Sequence, residues 1–417
     1  MRIFIWHGYL LTGTGSNEYS QALARTLAGQ GHEVTVFCQD PDAASLDLGG
    51  ARVVRPQLPG PLPVFVLDRY ADAAPALLPE LTREVLDEYV AVNAAAIRAA
   101  GAADLLITNH LLMGGPVGAA SGLPFVVKAH GSELEYAMRG NDGLCEWAAQ
   151  SLAGALAVIA GSRHIERVVT DLVAVDPRLI HVIPPGVDTD MMRPRPRDEA
   201  LAGLLAEAAQ DVGHGERLPD AGNVARFESF FADPDLPRAV YVGKISDEKG
   251  VPLLVEAALR LRLPTLIVGF GPARAPLEQR LGEDPAGAGI VFTGPLQHRH
   301  LQFLWPLVDV SVAPSVFPEA FGMVAAEAAS CGCPPVVADQ TGLAEIAAGL
   351  RQFYPTRFAE LPAFPTGDVD ALADRLRRTL ALSPGDRAEV SAAARDAVVG
   401  LWSWGSVADR IVALSDD

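Results

Sequence analysis

Short apolar, β-branched runs alternate with Ala- and Leu-rich stretches along this chain, and the alternation starts twice. In the first half, Arg2–Trp6, Glu33–Cys38, Ala51–Arg55, Asp104–Thr108, Pro124–Lys128 and Leu156–Ala160 read as strands. The segments Ser16–Ala28, Pro79–Ala100, Gly140–Leu152 and Ser162–Asp171 space their apolar residues as helices do. A last short run, Ile180–Ile183, enters the breaker cluster Pro184-Pro185-Gly186, which suits a domain boundary. The second half repeats the scheme. Strands are expected at Ala239–Gly243, Thr265–Val268, Ile290–Phe292, Val308–Val312 and Pro335–Ala338, with helices starting near Val251, Ala273, Arg299, Gly322 and Asp370.

Strand–helix alternation implies parallel sheets with crossover helices. The expected fold class is therefore α/β, with two doubly wound Rossmann-like domains facing across a cleft. The first covers residues 1–187 and the second 188–399. In such sheets ligands bind beyond the carboxyl ends of the strands. The stretch 195–237 breaks the pattern: one Ala/Leu helix, Asp198–Gln210, precedes a polar run rich in Gly, Pro and Asp. It reads as a flexible surface insertion, with an acceptor-binding flap as the alternative.

A length of 417 residues suits two or three domains, and 49% hydrophobic against 20% charged residues is a globular balance. The net charge of −18 is spread over both halves, with no Lys/Arg stripe to offset it. Nucleic acid is thereby excluded as a partner. No apolar run reaches the roughly 20 residues that span a bilayer. The opening MRIFIWHGYLL reads as a first strand and not a signal peptide. No basic amphipathic helix marks a membrane surface. A soluble, cytoplasmic protein is expected. Cys38, Cys145, Cys331 and Cys333 are too few and too scattered for a disulfide framework, and Cys331-Gly332-Cys333 has the wrong spacing for zinc.

Four constellations carry chemistry. Gly13-Thr14-Gly15-Ser16-Asn17 follows the first strand and opens a helix, where backbone amides and the helix dipole attract anions; a plain tight turn reads the same way. Gly243-Lys244 through Lys249-Gly250 lies at the end of the second half's first strand. The chain holds three lysines against 30 arginines, and two of the three fall in this loop. Compact ammonium groups suit a phosphate held as a point charge. Glu319 and Glu327 flank the helix entry Phe321-Gly322, and carboxylates accept well from paired sugar or ribose hydroxyls. His130-Gly131-Ser132-Glu133 follows the strand Pro124–Lys128, where a histidine can donate to a substrate oxygen. The Asp-x-Asp pairs at 40, 188, 233 and 368 are explained by loop chemistry, so no metal site is expected.

In this order, these residues resemble the family-four retaining glycosyltransferases of the GT-B fold, as found in bacteria. Gly31–Val36, Gly161-Ser162, Val182–Asp188, Val268-Gly269-Phe270-Gly271-Pro272 and the run from Pro314 to Val337 extend the likeness over nearly the whole chain. Trp402-Ser403-Trp404 looks like the start of the family's C-terminal helix, here about 400–417, which rejoins the first domain.

The resemblance implies a role for each residue. Gly15 and Gly243 would bring backbone amides to the donor, and Lys244 and Lys249 would neutralise its diphosphate. Glu319 with the amides of Phe321, Gly322 and Met323 would hold the donor sugar. Glu327 would take the ribose hydroxyls, and His130 would stand beside the reacting sugar. The expected reaction moves a sugar from a nucleoside-diphosphate sugar to a hydroxyl of a small-molecule or saccharide acceptor, with retention and without metal or other cofactor. Three departures stand out: Lys244 where the family usually has Arg, Phe270 where it usually has an acid, and the long 195–237 insertion. Alternatives are a nucleotide-sugar isomerase or epimerase of the same fold, and a catalytically silent nucleotide-sugar binder.

Overall fold

The computed structural model describes residues 1–13, 15–66, 74–212, 215, 217–283, 287 and 289–415. The chain divides into two compact units, Met1–Gly186 with Trp404–Asp417, and Val187–Ser403.

The first unit is built on β1 (Arg2–Trp6), β2 (Glu33–Phe37) and β3 (Arg52–Val54). It adds a small parallel pair, β4 (Leu62–Val64) and β5 (Pro75–Leu77), then β6 (Leu105–Asn109), β7 (Phe125–Lys128), β8 (Ala157–Ala160) and β9 (Ile180–Val182). The main sheet runs β3-β2-β1-β6-β7-β8-β9, parallel throughout. Its strand order reverses between β1 and β6, the place where doubly wound sheets bind ligands. Central strands are buried on both faces, which explains the near-continuous apolar runs in the sequence. The C-terminal helix Trp404–Val412 and the turn after it complete this unit: Val407, Ala408, Ile411 and, beyond the helix, Leu414 join the core of Ile3, Ile5 and Leu11.

The second unit comprises β10 (Ala239–Val242), β11 (Thr265–Val268), β12 (Ile290–Phe292), β13 (Val310–Ala313), β14 (Pro335–Ala338) and β15 (Ala363–Phe364). These form a second parallel sheet in the order β12-β11-β10-β13-β14-β15. Both units thus have the expected α/β class.

Several elements escape the sequence pattern. Helix Leu111–Ser121 is buried almost all round, so no polar face marks it. Helices Thr341–Phe353 and Pro384–Trp402 and strand β15 complete the second unit.

The reading of 195–237 as a flexible surface insertion is corrected, although residues 213, 214 and 216 of it lie outside the described residues. Its helix spans Arg197–Ala208, and a second helix, Asn223–Phe230, lies inside the supposed polar run. Ala200, Leu204, Phe227 and Phe231 are buried in the unit's core. Val224 and Phe230 pack beside Phe227 and Phe231, so the run that reads as polar supplies four apolar side chains to the core.

Candidate functional site

In the second unit, the chain turns back on itself after β10. Tyr241 Oη donates to the carbonyl of Lys244 at 2.7 Å, and the Lys249 amide donates to Ser246 Oγ at 3.3 Å. Lys244 itself is exposed. The loop after β13 is fastened to this turn at one point: the amides of Val316 and Phe317 donate to the Glu248 carbonyl at 2.9 and 3.1 Å, and Ser315 Oγ donates to it at 3.3 Å. Close approach is possible because Gly250, at φ +68°, has no Cβ; one built there would lie 1.9 Å from the Pro314 carbonyl oxygen. The result is an ion pair, Lys249 Nζ to Glu319 Oε1 at 2.6 Å, with both side chains partly exposed.

Glu319 is held from behind. Its amide donates to Thr341 Oγ1 at 2.9 Å, and its carbonyl accepts from the Gly342 amide at 3.0 Å. Phe321 turns inward, edge-on to Trp402 with ring centres 5.7 Å apart. Gly322 then opens the helix Met323–Ser330, whose first amides have no partner within the helix. Glu327 lies on that helix, 7% exposed, with Oε1 3.2 Å from His298 Nε2. His298 starts the helix His298–Leu304, which follows β12. Gly243 ends β10 against the loop after β11: a Cβ on Gly269 would stand 1.8 Å from the Gly243 carbonyl oxygen. The structure therefore gathers Gly243, Lys249, Glu319, Gly322 and Met323 around one end of this sheet. Glu327 is tied to His298, a residue that sequence reasoning assigned to no such contact.

The first unit has its own polar cluster at the carboxyl ends of β1, β6 and β7. His7 Nε2 stands 2.8 Å from Asn17 Oδ1, and Asn17 Nδ2 donates to the Thr12 carbonyl at 2.6 Å, which fastens the glycine loop. Gly15 is exposed at the first position of the helix Gly15–Gly29; Thr14 lies outside the described residues. Glu133, fully buried, accepts from the His130 amide at 2.6 Å and lies 3.0 Å from His110 Nδ1. His130 Nε2 is 2.8 Å from Asn109 Oδ1. Burial first, and then the neighbouring His110, keep His130 well below the usual histidine range, so its ring is neutral. The same causes bring His7 to about 3.

His110 adopts φ +67°, a conformation that side chains rarely take, directly after β6. Lys128 is buried under this cluster. Its Nζ donates to the Ile183 carbonyl at 3.0 Å and lies 5.3 Å from the centre of the Tyr19 ring. Sequence reasoning picked out His130 but missed His110, Asn109 and Lys128. The signal was available, because all three end or directly follow predicted central strands.

Residues 13–191 match the family described as Glycosyltransferase Family 4, and residues 236–381 match that described as Glycosyl transferases group 1. D-inositol 3-phosphate glycosyltransferase of Salinispora tropica is 31% identical over 79% of this chain and 67% of its own length. The enzyme of the same name from Mycobacterium tuberculosis is 29% identical, over 59% of this chain and 45% of its own. The chain belongs to the family-4 glycosyltransferases with the GT-B fold. Among solved structures, Anabaena HepE in complex with UDP superposes with a TM-score of 0.69 at 16% identity, each chain covered in full. Sucrose-phosphate synthase from Thermosynechococcus elongatus gives 0.66 at 22% identity, over all of this chain and 98% of its own. Neither family match reaches residues 192–235.

Proposed function

We propose that this glycosyltransferase takes a nucleoside-diphosphate sugar as donor and passes the sugar, with retention, to a hydroxyl of a small-molecule or saccharide acceptor. The observation that carries the reading is the Lys249–Glu319 pair at 2.6 Å, set beside exposed Lys244 and the start of the helix Met323–Ser330. Two ammonium groups and a helix N-terminus suit a diphosphate, and a carboxylate at its edge suits sugar hydroxyls. Complexes of HepE with UDP and with UDP-glucose support a uridine-type donor. The names of the Salinispora and Mycobacterium relatives support a phosphorylated polyol as one acceptor class.

In this reading the bond from the anomeric carbon to the diphosphate oxygen loosens first. Negative charge grows on the leaving phosphate, and lysines aimed at it stabilise the transition state more than the ground state. The acceptor oxygen bonds to the anomeric carbon on the same face, and its proton passes to the leaving phosphate oxygen. His130, neutral and half-buried, would present a ring nitrogen to the sugar. Lysines rather than a metal balance the charge. Among the described residues there is no helix long and apolar enough to cross a membrane. The four described thiols are unpaired, which suits a reducing compartment such as the cytoplasm.

A thermal-shift series with UDP, GDP, ADP and TDP and their sugars tests the donor. At about a hundred times Kd, a ligand of the folded state adds about 2.7 kcal/mol. A shift with one base selects the donor, and silence from all of them removes the reading. With the donor fixed, the anomeric configuration of the product by NMR decides retention, and turnover in EDTA decides the metal question.

A further inference from the structure

The inserted stretch is fastened at the donor end of the second sheet. Its first helix packs on His298–Leu304: Arg299 donates to Glu207 Oε2 at 2.7 Å, and His300 Nε2 lies 3.1 Å from Asp211 Oδ1. Farther along, the Asp220 amide and Asn223 Nδ2 both donate to the Thr293 carbonyl at 2.9 Å, directly after β12. The Asp220 carboxylate takes Arg274 in a two-pronged pair, with Nη1 donating to Oδ1 at 3.0 Å. Arg274 opens the helix that follows β11. Residues 217–223 therefore run across the carboxyl ends of β11 and β12. Gly294 marks how closely: a Cβ there would meet Asp220 Oδ1 at 2.7 Å.

From this anchored segment Arg217 places its guanidinium carbon 5.6 Å from the centre of the Phe270 ring. Phe270 is coupled directly to the lysine loop, since its carbonyl accepts from the Ile245 amide at 2.8 Å. The loop after β11 is also bound to that after β12, Gly269 amide to Gly294 carbonyl at 2.9 Å. Strands lie about 4.8 Å apart, so β11 and β12 are one and two spacings from the lysine loop that ends β10. A nucleoside diphosphate is long enough to cover that distance. With its phosphates on Lys244 and Lys249 and its ribose on Glu327, the base extends toward β12. The Glu327–His298 contact marks that same direction.

We propose that residues 217–223 of the inserted segment are part of the donor site: Arg217, its guanidinium held over the Phe270 ring, turns its in-plane N–H donors to the edge of the nucleobase. This rests on the donor reading above and adds what selects the base. A guanidinium only donates, so it favours a base with outward carbonyl oxygens, such as uracil or guanine, over adenine. Its planar face also stacks on rings, which an ammonium cannot do.

The test is calorimetric titration of the whole protein with UDP, ADP and inorganic diphosphate, for the unchanged chain and for Arg217→Ala, Arg217→Lys and Phe270→Leu. Arg217 is exposed, so its variants keep the fold, and melting curves check this for Phe270→Leu. The expected result is UDP affinity at least about fivefold weaker in Arg217→Ala, inorganic diphosphate within twofold, and no rescue by lysine. UDP preferred over ADP in the unchanged chain, with the preference shrinking in Arg217→Ala, completes the case. UDP affinity unchanged in Arg217→Ala overturns the inference and leaves the donor reading standing. Equal weakening of UDP and diphosphate also overturns it, since that reports general charge. If the unchanged chain binds neither UDP nor diphosphate, the donor reading fails and this inference with it.

Discussion

Lys249 Nζ donates to Glu319 Oε1 at 2.6 Å across 70 residues of chain. The contact joins the loop after β10 to the loop after β13, neighbouring strands in the second sheet. Each side chain keeps roughly a quarter to a third of its surface in solvent, so water screens the pair and its share of stability is small. On the donor reading proposed above, its use lies in preorganisation: the ammonium is held at one place before a ligand arrives, with two further N–H donors to offer.

Lys249→Ala separates these roles. Turnover at saturating donor is expected to fall at least about a hundredfold, the usual consequence of removing one donor from a developing oxyanion. The melting temperature should move by no more than about 2 °C, because an exposed pair contributes about 0–1 kcal/mol. Activity near the unchanged level would show that the leaving phosphate lies elsewhere.

Glu133→Gln addresses the first unit. The fully buried carboxylate serves the His130 amide, the Leu111 amide at 3.4 Å and His110 Nδ1 together. Glutamine keeps the volume but turns one acceptor into a donor facing His110. A loss of about 2–3 kcal/mol is expected, as for hydrogen bonds to charged groups, seen as a melting point lower by several degrees. His130 loses its anchored backbone, so kcat should fall more than donor KM rises. An unchanged melting curve would mean that Glu133 is not the cluster's anchor.

The pH dependence of stability follows from Lys128. Burial pushes its amine down to about 7, while an unfolded lysine titrates near 10.4. Between those values the unfolded chain binds more protons than the folded one, so this group's contribution to stability rises with pH. Below about pH 7 both states are protonated, and the cost of the buried charge is felt in full. Lys128→Met should therefore raise the melting temperature, relative to the unchanged chain, by more at pH 6 than at pH 9. A gap of equal size at both pH values would place the titration elsewhere.

How much of this was legible depends on how local each cause is. The strands and the restart after Pro184-Pro185-Gly186 are written in short runs and breakers, which a sequence shows directly. Lys244, Lys249 and Glu319 were legible as residue types in loops beyond strand ends, and Glu327 as a carboxylate inside the helix that follows. Their pairing was not: Lys249 meets Glu319 because β10 lies beside β13, and Glu327 meets His298 although β11 and β10 lie between the strands that precede them. The same holds for Glu133 and His110, which depend on β6 lying beside β7. The segment Leu111–Ser121 left no trace because it is almost wholly buried, breaks at Leu112 and Met113, and carries Gly114, Gly115, Pro116 and Gly118, so no helical period shows. The insertion looked mobile because Asp220 and Arg274, 54 residues apart, hold it down by a contact no local pattern announces.

Gly250→Ala tests whether the geometry of the lysine loop, apart from its charges, matters for turnover. Gly250 combines φ +68° with a Cβ position 1.9 Å from the Pro314 carbonyl oxygen, so alanine meets both backbone strain and a collision with main chain. Neither can be relieved by a side-chain rotation. The loop after β13 has to move away, and it carries Ser315, Val316, Phe317 and Glu319. The Lys249–Glu319 pair should open while both residues remain in the sequence. The melting temperature is expected to drop by several degrees, and kcat by about tenfold or more, since small displacements of an aimed charge cost much of its effect. Combining Gly250→Ala with Lys249→Ala should cost little more than Lys249→Ala alone, because both remove the same contact. Fully additive losses in the double variant would show that Gly250 acts through something other than the placement of Lys249.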